Sequence, residues 1–246
     1  MNKSAKREKV IVAIILFLIA AITGLVFAFF PPVASFNKKW YVTATTKELE
    51  LYKTPSDWPM YYLQFFRSLK TLRLYEPTKE DMKYIPDTKT LKDITISFGE
   101  ITDASSVKAL DCTEKLHFYG ASFSFDNYSP SEVKYLSFES CGIFDLDRHG
   151  HFSKLEELSF DNCFFDYPEF SYTLTYDNPG QVLKDTSAFS DLASVKKLYF
   201  DRMTITDISG FTNMANLQEI IVGSGVFSDE IIDKLALAGI KVSTKS

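Results

Sequence analysis

The chain has 246 residues, 46% of them hydrophobic and 15% aromatic, which is ample material for a folded core. A net charge of −5 argues against the concentrated basic face that nucleic-acid binding requires. Three cysteines are too few for a disulfide framework in a chain of this length.

In chain order, residues 1–9 form a basic tail, with Lys3, Lys6, Arg7 and Lys9 against Glu8. Residues 10–30, VIVAIILFLIAAITGLVFAFF, carry no charge at all. At the helical rise they reach roughly 31 Å, about the thickness of a hydrocarbon core. A signal-peptide core is shorter, about 7–15 residues, so the run predicts a transmembrane signal anchor. The alternative is a cleaved signal peptide, for which PPVASF offers a small-residue site around Ala34. The positive-inside rule keeps the tail in the cytoplasm and sends residues 31–246 outside. Ala20, Ala21, Gly24 and Ala28 give the run a small-residue stripe able to pack on another helix. Residues 31–45 read as a linker.

From residue 46 onward a pattern of apolar-x-x-apolar-x-apolar recurs. The clearest copies are Leu69/Leu72/Leu74, Leu91/Ile94/Ile96, Val133/Leu136/Phe138, Leu155/Leu158/Phe160, Val195/Leu198/Phe200 and Leu217/Ile220/Val222. Thr113/Leu116/Phe118 has lost its first apolar residue, Thr46/Leu49/Leu51 opens the series and Leu237/Ile240/Val242 closes it. The starts are 20 to 23 residues apart, except for one step of 40 between 155 and 195. Ten residues before a start there is often an aspartate: Asp81, Asp103, Asp145, Asp185 and Asp207. DASSVKAL, DTSAFSDL and DISGFTNM share a phrase that suits the N-cap of a short helical turn. Each unit therefore reads as a short strand, a turn near the ninth position and a capped helical or 3-10 segment. Strand positions 4 and 6 face inward; positions 3, 5 and 7 face out. FSDEIIDKLALAGIKVSTKS predicts a closing helix over 229–238 and a last strand.

On these residues the chain resembles leucine-rich repeat proteins, and ITDISGFTNMANLQEIIV resembles the 22-residue repeats of bacterial internalin-like proteins. The resemblance implies an α/β solenoid over 46–246: a curved parallel sheet backed by short helical and 3-10 segments, after one transmembrane helix. It also implies recognition of a protein or other surface macromolecule on the concave face, with no cofactor. The family's Asn or Cys at the ninth position is largely missing. Pro77, Gly99, Ala121, Cys141, Cys163, Met203 and Gly225 stand there, so looser turns are expected.

The long step leaves 18 extra residues, 167–184. FSYTLTY alternates like a strand and DNPG signals a turn, which fits a projecting hairpin or one folded back on its own flank. Its Tyr167, Phe170, Tyr172 and Tyr176 are candidate partner contacts. On the concave face the candidates are Tyr75, Tyr119, Tyr135 and Tyr199, because tyrosine is enriched at contact surfaces. Glu139, Asp161 and Asp201 line up on neighbouring strands with Glu157 beside them, either as an ordinary solvated polar face or suiting a basic partner, a cation or acid–base chemistry.

Cys141 and Cys163, one repeat apart, are either buried thiols at the ladder position or a disulfide, although parallel inward Cβ vectors fit a bridge poorly. DLDRHGH at 145–151 offers Asp145, Asp147, His149 and His151 as metal ligands or as an ordinary polar loop. Asn127-Tyr128-Ser129 matches a glycosylation acceptor but precedes Pro130. The chain has no phosphate-binding Gly-rich loop, no H-E-x-x-H and no G-x-S-x-G. The reading is a non-enzymatic binding protein, with a subunit of a membrane complex or an extracytoplasmic hydrolase as alternatives.

Overall fold

The computed structural model describes residues 46–52, 63–64, 66–166, 181–223 and 225–244, together with Leu18. The transmembrane reading of 10–30 otherwise falls outside these residues, as do Tyr167, Phe170, Tyr172 and Tyr176. Among the described residues no helix is long and apolar enough to cross a membrane.

Repetition in sequence becomes stacking in space. Among the described residues fifteen strands follow in order: β1 Glu48–Leu51, β2 Thr71–Tyr75, β3 Asp93–Ser97, β4 Glu100–Ile101, β5 Lys115–Tyr119, β6 Ser122–Ser124, β7 Tyr135–Glu139, β8 Gly142–Phe144, β9 Glu157–Asp161, β10 Phe164–Phe165, β11 Val182–Leu183, β12 Lys197–Asp201, β13 Thr204–Ile205, β14 Glu219–Val222 and β15 Lys241–Thr244. One strand per repeat builds a nine-stranded parallel sheet in the order β1-β2-β3-β5-β7-β9-β12-β14-β15. Helical and 3-10 turns return the chain between strands, and a closing helix spans Asp229–Leu237. This is a leucine-rich repeat solenoid.

Positions 4 and 6 of the repeat are buried along the first eight coils, from Leu49 and Leu51 to Ile220 and Val222. No single coil could bury that face; each is covered by its neighbours. In the middle of the stack position 6 is a column of phenylalanines. Phe118, Phe138, Phe160 and Phe200 lie nearly parallel, with successive centroids 5.2, 5.4 and 5.9 Å apart. Rings wider than leucine need a deeper coil, and Phe123, Phe125, Phe189 and Phe211 fill the added space from the opposite side.

Two features of the coil are absent from the sequence expectation. After β2, β3, β5, β7, β9 and β12 the residue at position 8 adopts positive φ: Glu76, Phe98, Gly120, Ser140, Asn162 and Arg202, all between 48° and 58°. This turn aims its N–H at the next coil, where Glu76, Phe98, Gly120, Ser140 and Asn162 donate to the carbonyls of Ser97, Tyr119, Glu139, Asp161 and Asp201. Beyond it, β4, β6, β8 and β10 form a second parallel sheet, and β11 pairs with β13.

The ninth position then explains itself. Cys141 donates its thiol to the Phe118 carbonyl at 3.3 Å, and Cys163 to Phe138 at 3.4 Å, so at this position sulfur bridges successive coils. Both cysteines are fully buried and free rather than disulfide-bonded, as is the partly exposed Cys112. Burial pushes the Cys141 thiol up to about 12, which leaves it inert. In coil 8 Gly225 is exposed and Val226 takes the buried place, one residue late.

Three expectations need correction. The last repeat is out of register: Val242 pairs with Ile220 and Thr244 with Val222, so the final step is 22 residues, and Leu237 is 89% exposed at the helix end. Asp81 is not an N-cap. Thr78 caps the helix Lys79–Met82, and Asp81 answers by accepting the Thr78 N–H, a reciprocal capping box. The insertion is also shorter than 167–184. Gln181 donates to Asn162, Val182 and Leu183 pair with Thr204 and Ile205, and Leu183 is buried in the core.

Asp207 holds two neighbouring coils together, whereas Asp185, among the described residues, bonds only Ser187 of its own turn. Asp207 accepts the Ser209 N–H and hydroxyl within its own turn, and the Thr186 N–H and hydroxyl from the coil before, all at 2.8–3.1 Å. Burial alone would raise its carboxyl, but these donors outweigh it and hold the group down at about 2. A carboxyl depressed from its unfolded value near 3.9 adds stability above that pH and loses it as pH falls through about 2. Asp207→Asn should therefore lose less stability than the parent between pH 5 and pH 2 in chemical denaturation. Equal losses in the two proteins would contradict this role.

Candidate functional site: the outer face of the large sheet

Alternation along nine strands leaves three outward rows, at repeat positions 3, 5 and 7. Parallel pairing in register aligns each row across the coils, one strand spacing of about 4.8 Å at a time. The seventh row changes character along the stack. It runs Tyr75, Ser97, Tyr119, Glu139, Asp161 and Asp201, each directly opposite the next.

At its aromatic end Tyr75 stacks on Tyr52 with centroids 4.3 Å apart. Tyr119, the more open of the two at 37% exposure, meets the ring of Phe98 edge-on at 5.2 Å. Gly120 is required beside it, because a Cβ there would strike the Phe98 ring and its φ is +58°. Tyr135 lies in the third row, not the seventh, with the Lys115 ammonium 5.2 Å from its ring centroid. Tyr199 is in the fifth row, its hydroxyl 3.5 Å from Glu157; burial and that carboxylate raise its phenol. The four candidate tyrosines therefore share one face without forming one patch.

At the acidic end the three carboxylates do come together. Arg202 lies across them: its Nε donates to Asp161 at 2.6 Å, its terminal nitrogen sits 3.5 Å from Glu139, and its N–H donates to Asp201 at 2.9 Å. Gly223 leaves room for this, since a Cβ there would collide with the Asp201 carboxylate. Arg202 is a residue the sequence reading missed. It stands at position 8, which an alternating strand would assign to the interior; the left-handed turn there lets the side chain reach back over the sheet. Phe98 was missed in the same way, at position 8, whereas Tyr52 stands at position 7 of the first coil, an outward place at the start of the row.

Between these ends His117 Nδ1 lies 2.7 Å from Ser137 Oγ, and burial lowers the His117 imidazole. Acyl transfer would further need free N–H donors to hold an oxyanion. The amides of these strands are committed to the sheet ladder. The contact is a polar tie between coils 4 and 5.

DLDRHGH behaves as a structural loop. Asp145 accepts the Ser124 hydroxyl at 2.7 Å, and the His149 nitrogens face the carbonyls of Gly150 at 2.7 Å and Ala188 at 2.9 Å. Among the described residues no cluster of three or more ligating side chains is placed to hold a metal. Tyr128 is wholly buried, with its hydroxyl donated to the Leu110 carbonyl at 3.1 Å, while Asn127 and Ser129 on either side of it are exposed.

No family model and no curated protein matches the chain. Among solved structures it is similar to an internalin C2 from Listeria monocytogenes, at 18% identity over 74% of each chain with a TM-score of 0.49. It is also similar to an internalin, InlF, from the same organism, at 13% identity over 76% of this chain and 59% of that one, with a TM-score of 0.40.

Proposed function

We propose that the protein is a membrane-anchored, extracytoplasmic binding module that holds a protein partner on the outer face of its large sheet. The observation that carries this reading is the seventh row. It offers tyrosine rings at one end and a carboxylate triad at the other, on strands whose amides are committed to the sheet ladder. Large rings that lose little entropy on contact, next to charge that selects orientation, are what a recognition surface needs. The uncharged run 10–30 supplies the anchor, and the basic tail before it sets the topology.

Topology is tested by adding protease to intact cells. The repeat domain should be digested from outside while residues 1–9 stay protected. A domain protected in intact cells and cut only after lysis would refute the orientation.

A further inference from the structure

Charge is distributed unevenly along the solenoid. Residues 46–92 contain nine Lys and Arg against seven Asp and Glu, whereas residues 93–246 contain twelve against twenty-four. A protein that is acidic overall therefore begins its stack with a basic block.

The structure gathers much of that block into a stripe. Position 2, where each strand is entered, is Lys47, Lys70 and Lys92 on the first three coils. The Lys70 N–H donates to the Lys47 carbonyl and the Lys92 N–H to the Lys70 carbonyl, at 2.7 and 2.9 Å, so the three sit on adjacent strands. Arg67 and Lys89 stand two residues before their coil starts and are also neighbours, since the Thr90 hydroxyl donates to the Arg67 carbonyl at 2.7 Å. All five side chains are exposed, and none makes an ion pair or hydrogen bond with a described residue.

Further along, the same row is built differently. It alternates Glu114, Lys134, Glu156 and Lys196, with ion pairs of 3.1 Å between the first two and 3.2 Å between the last two. Two acids beyond the stripe are committed to other lysines. Glu114 is bonded to Lys134, and Glu132, which Lys92 influences from a distance, is bonded to Lys154 at 2.7 Å. Glu48 and Asp93 are the residues after Lys47 and Lys92 and lie in the outward third row. Like charges in a row one strand apart repel each other, and the chain has neutralised that row everywhere except on coils 1 to 3.

We propose that this stripe is an interaction surface for the phosphates of an anionic lipid bilayer, laying the first three coils against the membrane that holds the anchor. The inference rests on the anchor reading above. Seventeen residues separate Phe30 from Glu48, a tether of at most about 60 Å. A tether of that reach keeps the stripe at high effective concentration near the headgroups, so weak attraction suffices. Each basic residue close to an anionic surface strengthens attraction about fivefold, and the effect fades within a Debye length, about 10 Å at 0.1 M salt. Docking the stripe would tilt the stack and fix which way the recognition face looks.

The test uses the full chain in nanodiscs of phosphatidylcholine alone or with 30% phosphatidylglycerol. Lysines are acetylated with a water-soluble active ester and quantified by mass spectrometry. Lys47, Lys70 and Lys92 should react several-fold more slowly in anionic discs and recover at 0.5 M salt. Lys134 and Lys241 should not change. In K47Q/K70Q/K92Q, Lys89 should lose its protection. Equal rates in both discs would overturn the proposal, as would protection that inorganic phosphate reproduces on neutral discs. If the chain fails to enter neutral discs, the anchor reading falls instead. The free chain is then mixed with anionic vesicles: protection there sustains the stripe, and its absence overturns it.

Discussion

Phe138→Ala should lower the stability of the repeat domain by about 3–5 kcal/mol, read as a shift of the urea midpoint. Phe138 is the centre of the phenylalanine column, stacked on Phe118 and Phe160 and touched by Phe123 and Phe125 at 5.0 and 5.6 Å. Removing its ring deletes contacts to the coils on both sides at once, and a stack of flat rings cannot collapse into the gap. Phe138→Leu keeps most of the volume and should cost about 1.5 kcal/mol or less. A loss under about 1 kcal/mol for the alanine variant would mean that the column does not couple the coils.

Gly210→Ala should be nearly as damaging, at about 3 kcal/mol, for the opposite reason. The Gly210 N–H donates to the Thr186 hydroxyl at 3.0 Å, and an added Cβ would fall inside the contact distance of the Thr186 carbonyl oxygen. Thr186 is wholly buried and bound to Asp207, so neither coil can step back without giving up that network. Ser209→Ala, one residue earlier and exposed, removes a hydroxyl bond to Asp207 and should cost about 1 kcal/mol. Comparable midpoints for the two variants would show that the coils are not in close contact here.

What the sequence made legible was whatever depends on burial. Leu198 and Phe200 face inward and Lys197 and Tyr199 face out because alternation in a half-buried strand has one solution. The phrase beginning at Asp207 announced a turn because its carboxylate needs donors two residues on. The misreadings came where several patterns satisfy the same residues. Leu237, Ile240 and Val242 repeat the correct spacing, but the helix Asp229–Leu237 and the left-handed Gly239 move the last strand two residues later. Val182 and Leu183 form a strand too short to carry a period, so they read as insertion. Position 8 was invisible because positive φ is not written in Glu76, Phe98 or Arg202 as it is in glycine. With it went Arg202, the cation that organises the acidic end of the site.

The central claim is that a partner sits on the outer face of the large sheet. It is tested most directly by a photo-cross-linking phenylalanine derivative placed at Tyr119, on that face, or at Lys108, exposed in the short helix Lys108–Cys112. After irradiation of intact cells, the Tyr119 position should yield a discrete cross-linked protein that Glu139→Lys weakens at least tenfold, while Lys108 yields none. Capture from Lys108 alone, or equal capture from both positions, would contradict the account.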